Sequence, residues 1–182
     1  MKHPTLVVCL LAVCLPFSGC KRSLDEADVR AFVDQADEAA RKRYAPEICE
    51  LRGEDFSLDL TFQSIDDVPP SEMKINRKLF CHMAGTFSRY RQYRLERRSL
   101  EVDVAKDAKT ARVVAEYVET MPYYQDNVMP VTPDAFWHFV VVESRDESVV
   151  GIEGGELVFK SAKIAATQTE LIEKSALDLP YD

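Results

Sequence analysis

The sequence has little of what metal centres, nucleotide sites and nucleophilic enzymes require. Of its 182 residues only three are histidine and six are glycine. No two histidines stand at helical spacing, and neither Cys-x-x-Cys nor an Asp-x-Asp-x-Asp-Gly calcium loop occurs. Phosphate-binding glycine loops and the Gly-x-Ser-x-Gly nucleophile elbow are absent as well. We therefore predict no metal and no cofactor.

Positive charge and long apolar runs are also scarce. Lysine and arginine number 23 against 31 aspartate and glutamate, for a net charge of −8. A general nucleic-acid binder needs a basic surface, so no nucleic acid is expected as a partner. The longest apolar run, residues 6–15, would rise about 15 Å as a helix, against about 30 Å of bilayer hydrocarbon. It is too short for a comfortable transmembrane span.

The first twenty residues instead have the pattern of an export signal. Lys2 precedes the apolar run, and small residues follow it before a cysteine. Residues 17–20, Phe-Ser-Gly-Cys, resemble the bacterial lipobox, with Phe17 in place of the usual aliphatic residue. The resemblance implies cleavage before Cys20 and lipidation of Cys20, which anchors a protein to a membrane. The alternative is an ordinary cleaved signal with a chance cysteine.

The residue after the lipobox indicates a location in the cell envelope. In such lipoproteins an aspartate after the cysteine tends to retain the protein in the inner membrane, and this chain has Lys21. We therefore expect the outer membrane, with the protein facing the periplasm. The expected segments are a signal peptide at 1–19, a lipidated cysteine and short tether at 20–23, one domain at 24–167, and a C-terminal tail at 168–182.

The five cysteines divide according to this scheme. Cys9 and Cys14 leave with the signal, and Cys20 receives lipid. Cys49 and Cys81 remain in an oxidising compartment, so a disulfide between them is predicted. Its loop would stabilise the fold by roughly 3–4 kcal/mol in the chain-entropy model. Two separate buried thiols are the alternative.

Hydrophobic periodicity predicts helices first and a sheet afterwards. The predicted helices are a first helix that starts at the Ser23–Glu26 capping-box signature and ends near Tyr44, a short second helix from Pro46 closed by Gly53, and a third helix from about residue 71 to residue 89. The predicted strands are 56–63, 100–104, 111–121 and 136–152, and a Gly154-Gly155 hairpin leads to a last strand at 157–166. The charged stretch 143–147 could split the long strand, and one bent strand is preferred. The proline-rich connection between Met121 and Phe136 is a candidate functional loop.

This order of elements resembles the nuclear transport factor 2-like superfamily, in which a curved sheet wraps helices into a cone with a cavity. The resemblance covers residues 24–167 and includes Trp137, Gly154, Gly155 and Val158 at the place of the last hairpin. It implies an α+β fold with N-terminal helices packed in a strongly curved, mostly antiparallel sheet. An unrelated α+β domain with the same element order is the alternative.

The same resemblance implies where catalytic residues would lie, because enzymes of this superfamily use His–Asp or Tyr–Asp sets inside the cone. The candidates here are His138, Tyr117 and Asp103, all on predicted strands. The alternative reading is a packed histidine at His138 and a solvent-facing carboxylate at Asp103. No catalytic residue is assigned on this basis.

Five arginines in ten residues, 89–98, alternate with two tyrosines. Guanidinium groups beside aromatic rings suit phosphates, so Arg94, Arg97 and Arg98 are candidates for an anionic ligand such as a lipid phosphate or an acidic protein. The alternative is a solvated strand face that balances nearby acids.

These observations favour a lipid-anchored envelope protein that acts as a binding or interaction module, for a small ligand or an envelope protein, with a homodimer as a further option. The alternative is an enzyme, a small-molecule isomerase, lyase or hydrolase that uses the cone cavity. An open cone with Tyr117 or His138 close to a carboxylate would favour the enzyme. A filled apolar cone would favour the interaction module.

Overall fold

The computed structural model describes residues 23–65, 68–88, 93–122 and 138–173. Three helices and six strands follow one another in this part of the chain. The helices are α1 (Glu26–Lys42), α2 (Ala45–Glu50) and α3 (Arg77–Phe87). The strands are β1 (Arg52–Gln63), β2 (Ser71–Asn76), β3 (Arg94–Val104), β4 (Thr110–Pro122), β5 (His138–Glu153) and β6 (Glu156–Glu173). In the described ranges, no helix is both long and apolar enough to cross a membrane.

The described strands form one mixed sheet in the order β2-β1-β6-β5-β4-β3. Strands β1 and β6 run parallel, and the other neighbouring pairs given for the described residues are antiparallel. Helix α1 buries Val29, Phe32 and Val33 in the main core, together with Phe56 of β1 and Val150 of β5. The predicted α+β class with a curved sheet around helices is confirmed.

The prediction of a helix over residues 71–89 is wrong in its first part. Residues Ser71–Asn76 form β2, whose backbone pairs with β1. Helix α3 begins after Asn76, whose side-chain oxygen accepts a hydrogen bond from the Leu79 amide at 2.9 Å. Of β2 only Ile75 is buried, and the alternation of Met73 and Ile75 with polar residues is too short to mark a strand by itself. Its conformation follows from pairing with β1, which is a tertiary interaction.

The expectation that Gly53 closes the second helix is also wrong. Helix α2 ends at Glu50, and Gly53 lies buried inside β1. A Cβ atom at this position would lie 3.3 Å from Val158 Cγ2 and 2.8 Å from Glu153 Oε2. Glycine at position 53 therefore allows β1 to lie close against the β5–β6 hairpin.

The long β-rich run is a single strand over its described part. The register between β5 and β6 shifts twice, at Thr169 and at Lys160, which are extra residues on β6, and such bulges bend the strand that carries them. The hairpin to β6 turns at Gly154 and Gly155, whose φ angles are +60° and +91°. Strand β6 continues to Glu173, so the domain extends beyond the predicted boundary at residue 167.

A disulfide joins Cys49 of α2 to Cys81 of α3. Their Cα atoms are 5.4 Å apart, which is within the usual range for a disulfide. The bond closes a loop with a sequence separation of 32. It therefore links the two short helices as the cysteine count predicted.

Several predictions fall on residues outside the described ranges. They are the signal peptide and Cys20, the tail beyond Glu173, Trp137, and nearly all of the candidate loop between Met121 and Phe136.

Candidate functional site

A cavity of about 250 Å³ lies between helix α1 and the sheet. Every second residue of β4 from Val113 to Glu119 lines it, because alternate side chains of a strand face the same side of the sheet. Six ionisable side chains are on its wall, which is otherwise mainly apolar. They are Asp37 from α1, Arg52 from β1, Tyr93 just before β3, Tyr117 and Glu119 from β4, and Asp146 from β5.

Asp37 is the most fully bonded of these groups. It is 4% exposed, and its two carboxylate oxygens have different partners. Oδ1 accepts a hydrogen bond from Tyr117 Oη at 3.0 Å, and Oδ2 accepts one from Arg97 Nη1 at 2.7 Å. Burial raises the pKa of Asp37, and the positive charge of Arg97 opposes that shift. The carboxylate thus links α1 to β3 and β4 and holds the Tyr117 hydroxyl in place.

Arg52 is the opposite case, a buried cation whose hydrogen-bonding groups are not all used. Its Nε and Nη1 atoms are buried and have no hydrogen-bond partner. The guanidinium carbon lies over three aromatic rings, 5.3 Å from the Phe56 centroid, 4.8 Å from Phe80 and 4.4 Å from Phe159. Burial lowers the pKa of Arg52 to about 10, so the side chain stays charged at pH 7. Buried donors without an acceptor are rare in folded proteins and are costly.

Asp146 faces the same cavity from β5. Its Oδ1 accepts a hydrogen bond from Ser144 Oγ at 2.9 Å. Burial raises the pKa of Asp146 to about 7, although the Ser144 hydrogen bond and the charge of Arg52 oppose the shift. Near neutral pH this carboxyl is therefore divided between its protonated and deprotonated forms, which suits a group that gains or loses a proton.

Glu119 and Tyr93 form a second buried pair on the wall. Tyr93 Oη donates a hydrogen bond to Glu119 Oε2 at 2.8 Å. Burial raises the pKa of the Glu119 carboxyl, and the same burial raises the pKa of the Tyr93 hydroxyl well above its usual value. The hydrogen bond from Tyr93 opposes the effect of burial on Glu119, because it favours the charged carboxylate.

The structure brings one of the three catalytic candidates into the cavity. Tyr117 lines it and contacts the Asp37 carboxylate, as described above. Asp103 is exposed on β3 opposite Arg112, and His138 is half-buried at the start of β5. Neither Asp103 nor His138 lines this cavity.

The three arginines named as anion candidates all contact carboxylates. Arg94 and Arg98 each form an ion pair with Glu96, at 3.6 Å and 2.8 Å. Arg97 binds Asp34 at 2.6 Å and Asp37 at 2.7 Å. Such ion pairs are what the alternative, a strand face that balances nearby acids, predicts. Arg97 also holds the Asp37 carboxylate in position.

Sequence reasoning missed Asp37, Arg52, Glu119 and Asp146. In the sequence Asp37 stands four positions before Arg41, the spacing of an ion pair on a helix surface, and Asp146 lies in the charged stretch 143–147 that could split the long strand. Two signals were available. Glu119 continues the alternation of Val113, Ala115 and Tyr117. Asp146 lies four positions after buried Val142 on β5, so both side chains face the same side of the sheet.

Within the described ranges, no three His, Cys, Asp or Glu side chains are grouped so as to hold a metal ion.

No protein-family model and no curated protein sequence matches this chain. Solved structures do match its fold. A conserved protein from Planctomyces limnophilus aligns with a TM-score of 0.57 at 11% identity, over 80% of this chain and 98% of that one. Hexachlorocyclohexane dehydrochlorinase LinA-type3 from Novosphingobium barchaimii aligns with a TM-score of 0.52 at 8% identity, over 83% and 90%. A scytalone dehydratase-like protein from Novosphingobium aromaticivorans aligns with a TM-score of 0.53 at 11% identity, over 81% of this chain and 85% of that one.

These likenesses define the class of fold. The domain has the nuclear transport factor 2-like fold, a curved mixed sheet of six strands with a few helices. Proteins with this fold include enzymes, among them the dehydrochlorinase above, as well as proteins of unknown function. At identities of 8–11% the likeness extends to the fold and not to the chemistry.

Proposed function

We propose that this protein binds a small molecule with an anionic oxygen, such as a carboxylate, inside the cone. The observation on which the proposal depends is the Arg52 guanidinium, which lines the cavity and has two buried nitrogen atoms, Nε and Nη1, without a hydrogen-bond partner. Its planar group matches a carboxylate in geometry and in charge. The cavity beside it offers the space.

The charges around the cavity are compatible with an anion at Arg52. Asp37 is paired with Arg97. Burial raises the pKa of Glu119, which disfavours its charged form, although the hydrogen bond from Tyr93 opposes this shift. Asp146 is the remaining carboxyl, and with a pKa of about 7 it can be protonated at small cost near neutral pH. An anion beside it favours that protonated form, so ligand binding should take up a proton.

Binding of benzoate to the full-length protein tests this proposal. We expect saturable binding to the wild type and a loss of about 10- to 100-fold in affinity for Arg52→Met, because a hydrogen bond to a charged group contributes about 1.5–3 kcal/mol. Benzamide has the same shape without the charge, and its weaker binding should be unaffected by Arg52→Met. Titration calorimetry measures both. Equal benzoate affinities for the two proteins would contradict the role of Arg52.

A second candidate is proton transfer on the bound molecule, which would make the protein an isomerase, lyase or hydrolase. Asp146 favours it, since a buried carboxyl with a pKa of about 7 beside a cation can accept a proton from a carbon acid. The contact between Tyr117 and the Asp37 carboxylate also meets the criterion that favours an enzyme. Deuterium uptake by a bound carbonyl compound in heavy water, lost in Asp146→Asn, would test it.

The lipid anchor is part of the same proposal, and it is supported by the lipobox resemblance at residues 17–20. Helix α1 begins at Glu26, six positions after Cys20, so an anchored domain would be held close to the membrane surface. We propose the outer membrane, facing the periplasm, because Lys21 follows the cysteine.

Replacing Cys20 with serine should release the protein from the membrane. Serine has no thiol for the thioether, so neither the diacylglyceryl group nor the later acylation can form. Metabolic labelling with a fatty acid and fractionation of the cells measure both effects, and Cys14→Ser serves as a matched control within the predicted signal. Labelling that persists in Cys20→Ser would exclude the anchor.

A further inference from the structure

We infer that the bound molecule is a single-chain amphiphile, with its carboxylate at Arg52 and its hydrocarbon tail in a second, apolar cavity. This inference rests on the proposed function and specifies its ligand. Its basis is the arrangement of two neighbouring cavities that share part of their wall, one with six ionisable side chains and one lined mainly by apolar side chains.

The second cavity has a volume of about 370 Å³ and lies between helix α3 and the sheet. Hydrocarbon side chains dominate its wall, among them Leu60, Phe62, Met83, Met121 and Val142. Its volume lies within the range of about 300–1,000 Å³ that small-molecule sites occupy.

The two cavities share a boundary. Six residues line both of them, namely Ile48, Leu58, Phe80, Tyr93, Glu119 and Ile164. Phe80 is central to this boundary, because its ring also contacts the Arg52 guanidinium. The cavities are therefore neighbours, and the inference places one end of an elongated molecule in each of them.

The polar groups on the apolar cavity are already bonded within the protein. Tyr93 donates to Glu119, Ser144 Oγ donates to Asp146, and Ser88 Oγ donates to the Gly85 carbonyl. Arg43 also has a partner. A peptide in this cavity would bury amide groups without acceptors or donors to meet them, at a high cost in free energy. A hydrocarbon tail has no such groups, so it is the occupant that this wall favours.

Carboxylates of increasing chain length, from butyrate to laurate, test the inference on the full-length protein. We expect affinity to rise about threefold to fourfold for each added methylene until the apolar cavity is filled. Arg52→Met should lower the affinity for every member of the series, whereas binding of 1-dodecanol should change little. Titration with each ligand, with displacement of laurate by butyrate, provides the affinities.

A pair of neighbouring residues on β6 supplies matched variants. Ala166 is buried, and of the two cavities it lines the apolar one alone. Ala165 is exposed on the opposite face of the sheet. Ala166→Phe should remove the gain for long chains and leave benzoate binding intact, which also shows that the variant is folded. Ala165→Phe should behave like the wild type.

The outcomes separate this inference from the proposed function. Benzoate binding that depends on Arg52, together with equal affinities for butyrate and laurate, would overturn the amphiphile and leave the anion site. No binding of benzoate or laurate would overturn both. A chain-length effect that persists in Ala166→Phe at wild-type strength would also overturn the tail position.

Discussion

Replacing Asp146 with asparagine should stabilise the protein at pH 8 by about 2–4 kcal/mol, because the cost of ionising a buried carboxyl disappears with the carboxyl itself. Burial raises the pKa of Asp146 from 3.8 to about 7 in the folded state. Between these two values the unfolded chain has released the proton and the folded protein still holds it. The free energy of unfolding therefore falls as the pH rises through this window. Asparagine has no such proton and can still accept the Ser144 hydrogen bond.

Urea unfolding at pH 4 and pH 8 measures the effect. The advantage of Asp146→Asn should be small at pH 4, grow between pH 4 and pH 7, and level off above that. Glu147→Gln is the matched control, because Glu147 is the next residue on the exposed face and binds Arg112 at 2.7 Å. It should show no gain that grows with pH. A gain in Asp146→Asn that is equal at both pH values would exclude titration of this carboxyl as the cause.

Replacing Asp37 with alanine should destabilise the protein by about 3 kcal/mol, a typical cost of removing one partner from a buried ion pair. The Tyr117 hydroxyl loses its acceptor, and Arg97 loses its buried partner. Arg97 keeps Asp34, so the loss is at the lower end of the usual range. Equilibrium unfolding by urea at pH 7 gives the change in free energy.

The control for this substitution lies one turn earlier on the same helix. Asp34 binds the same arginine at 2.6 Å, but its side chain is 63% exposed. Asp34→Ala should therefore cost about 1 kcal/mol or less. If the two variants lost equal stability, the burial of Asp37 would not be what makes its ion pair important.

The two buried carboxyls have different consequences for function. Asp37 is bonded at both oxygens and acts through structure, by joining α1 to β3 and β4. Asp146 has one hydrogen bond to Ser144 and faces the cavity that contains Arg52. A ligand at Arg52 therefore lies nearer the charge of Asp146 than that of Asp37. Variants of Asp146 should change the ligand affinity as well as the stability of the fold.

Local patterns determined most of the fold. The apolar stripe from Val29 to Val33 fixed α1, and the alternation along β4 placed Tyr117 on the inner face with Val113 and Ala115. Two glycines fixed the last hairpin, because they adopt positive φ at little cost. Strand β2 could not be read in this way, since its pairing with β1 and not its own residues makes it a strand.

By itself the sequence determined the order of the elements apart from β2, the α+β class, the Cys49–Cys81 pair and the side of the sheet on which Tyr117 lies, because each depends on local periodicity or on cysteine chemistry. Only the tertiary structure decided which charges are buried. Arg52 stands at the start of a strand, Asp37 on a helix rich in charge, and Asp146 among four other charged or polar neighbours. From the sequence alone these three look like surface residues. The curved sheet brings them to one cavity, where desolvation changes the pKa of Asp146 and leaves two donors of Arg52 without a partner.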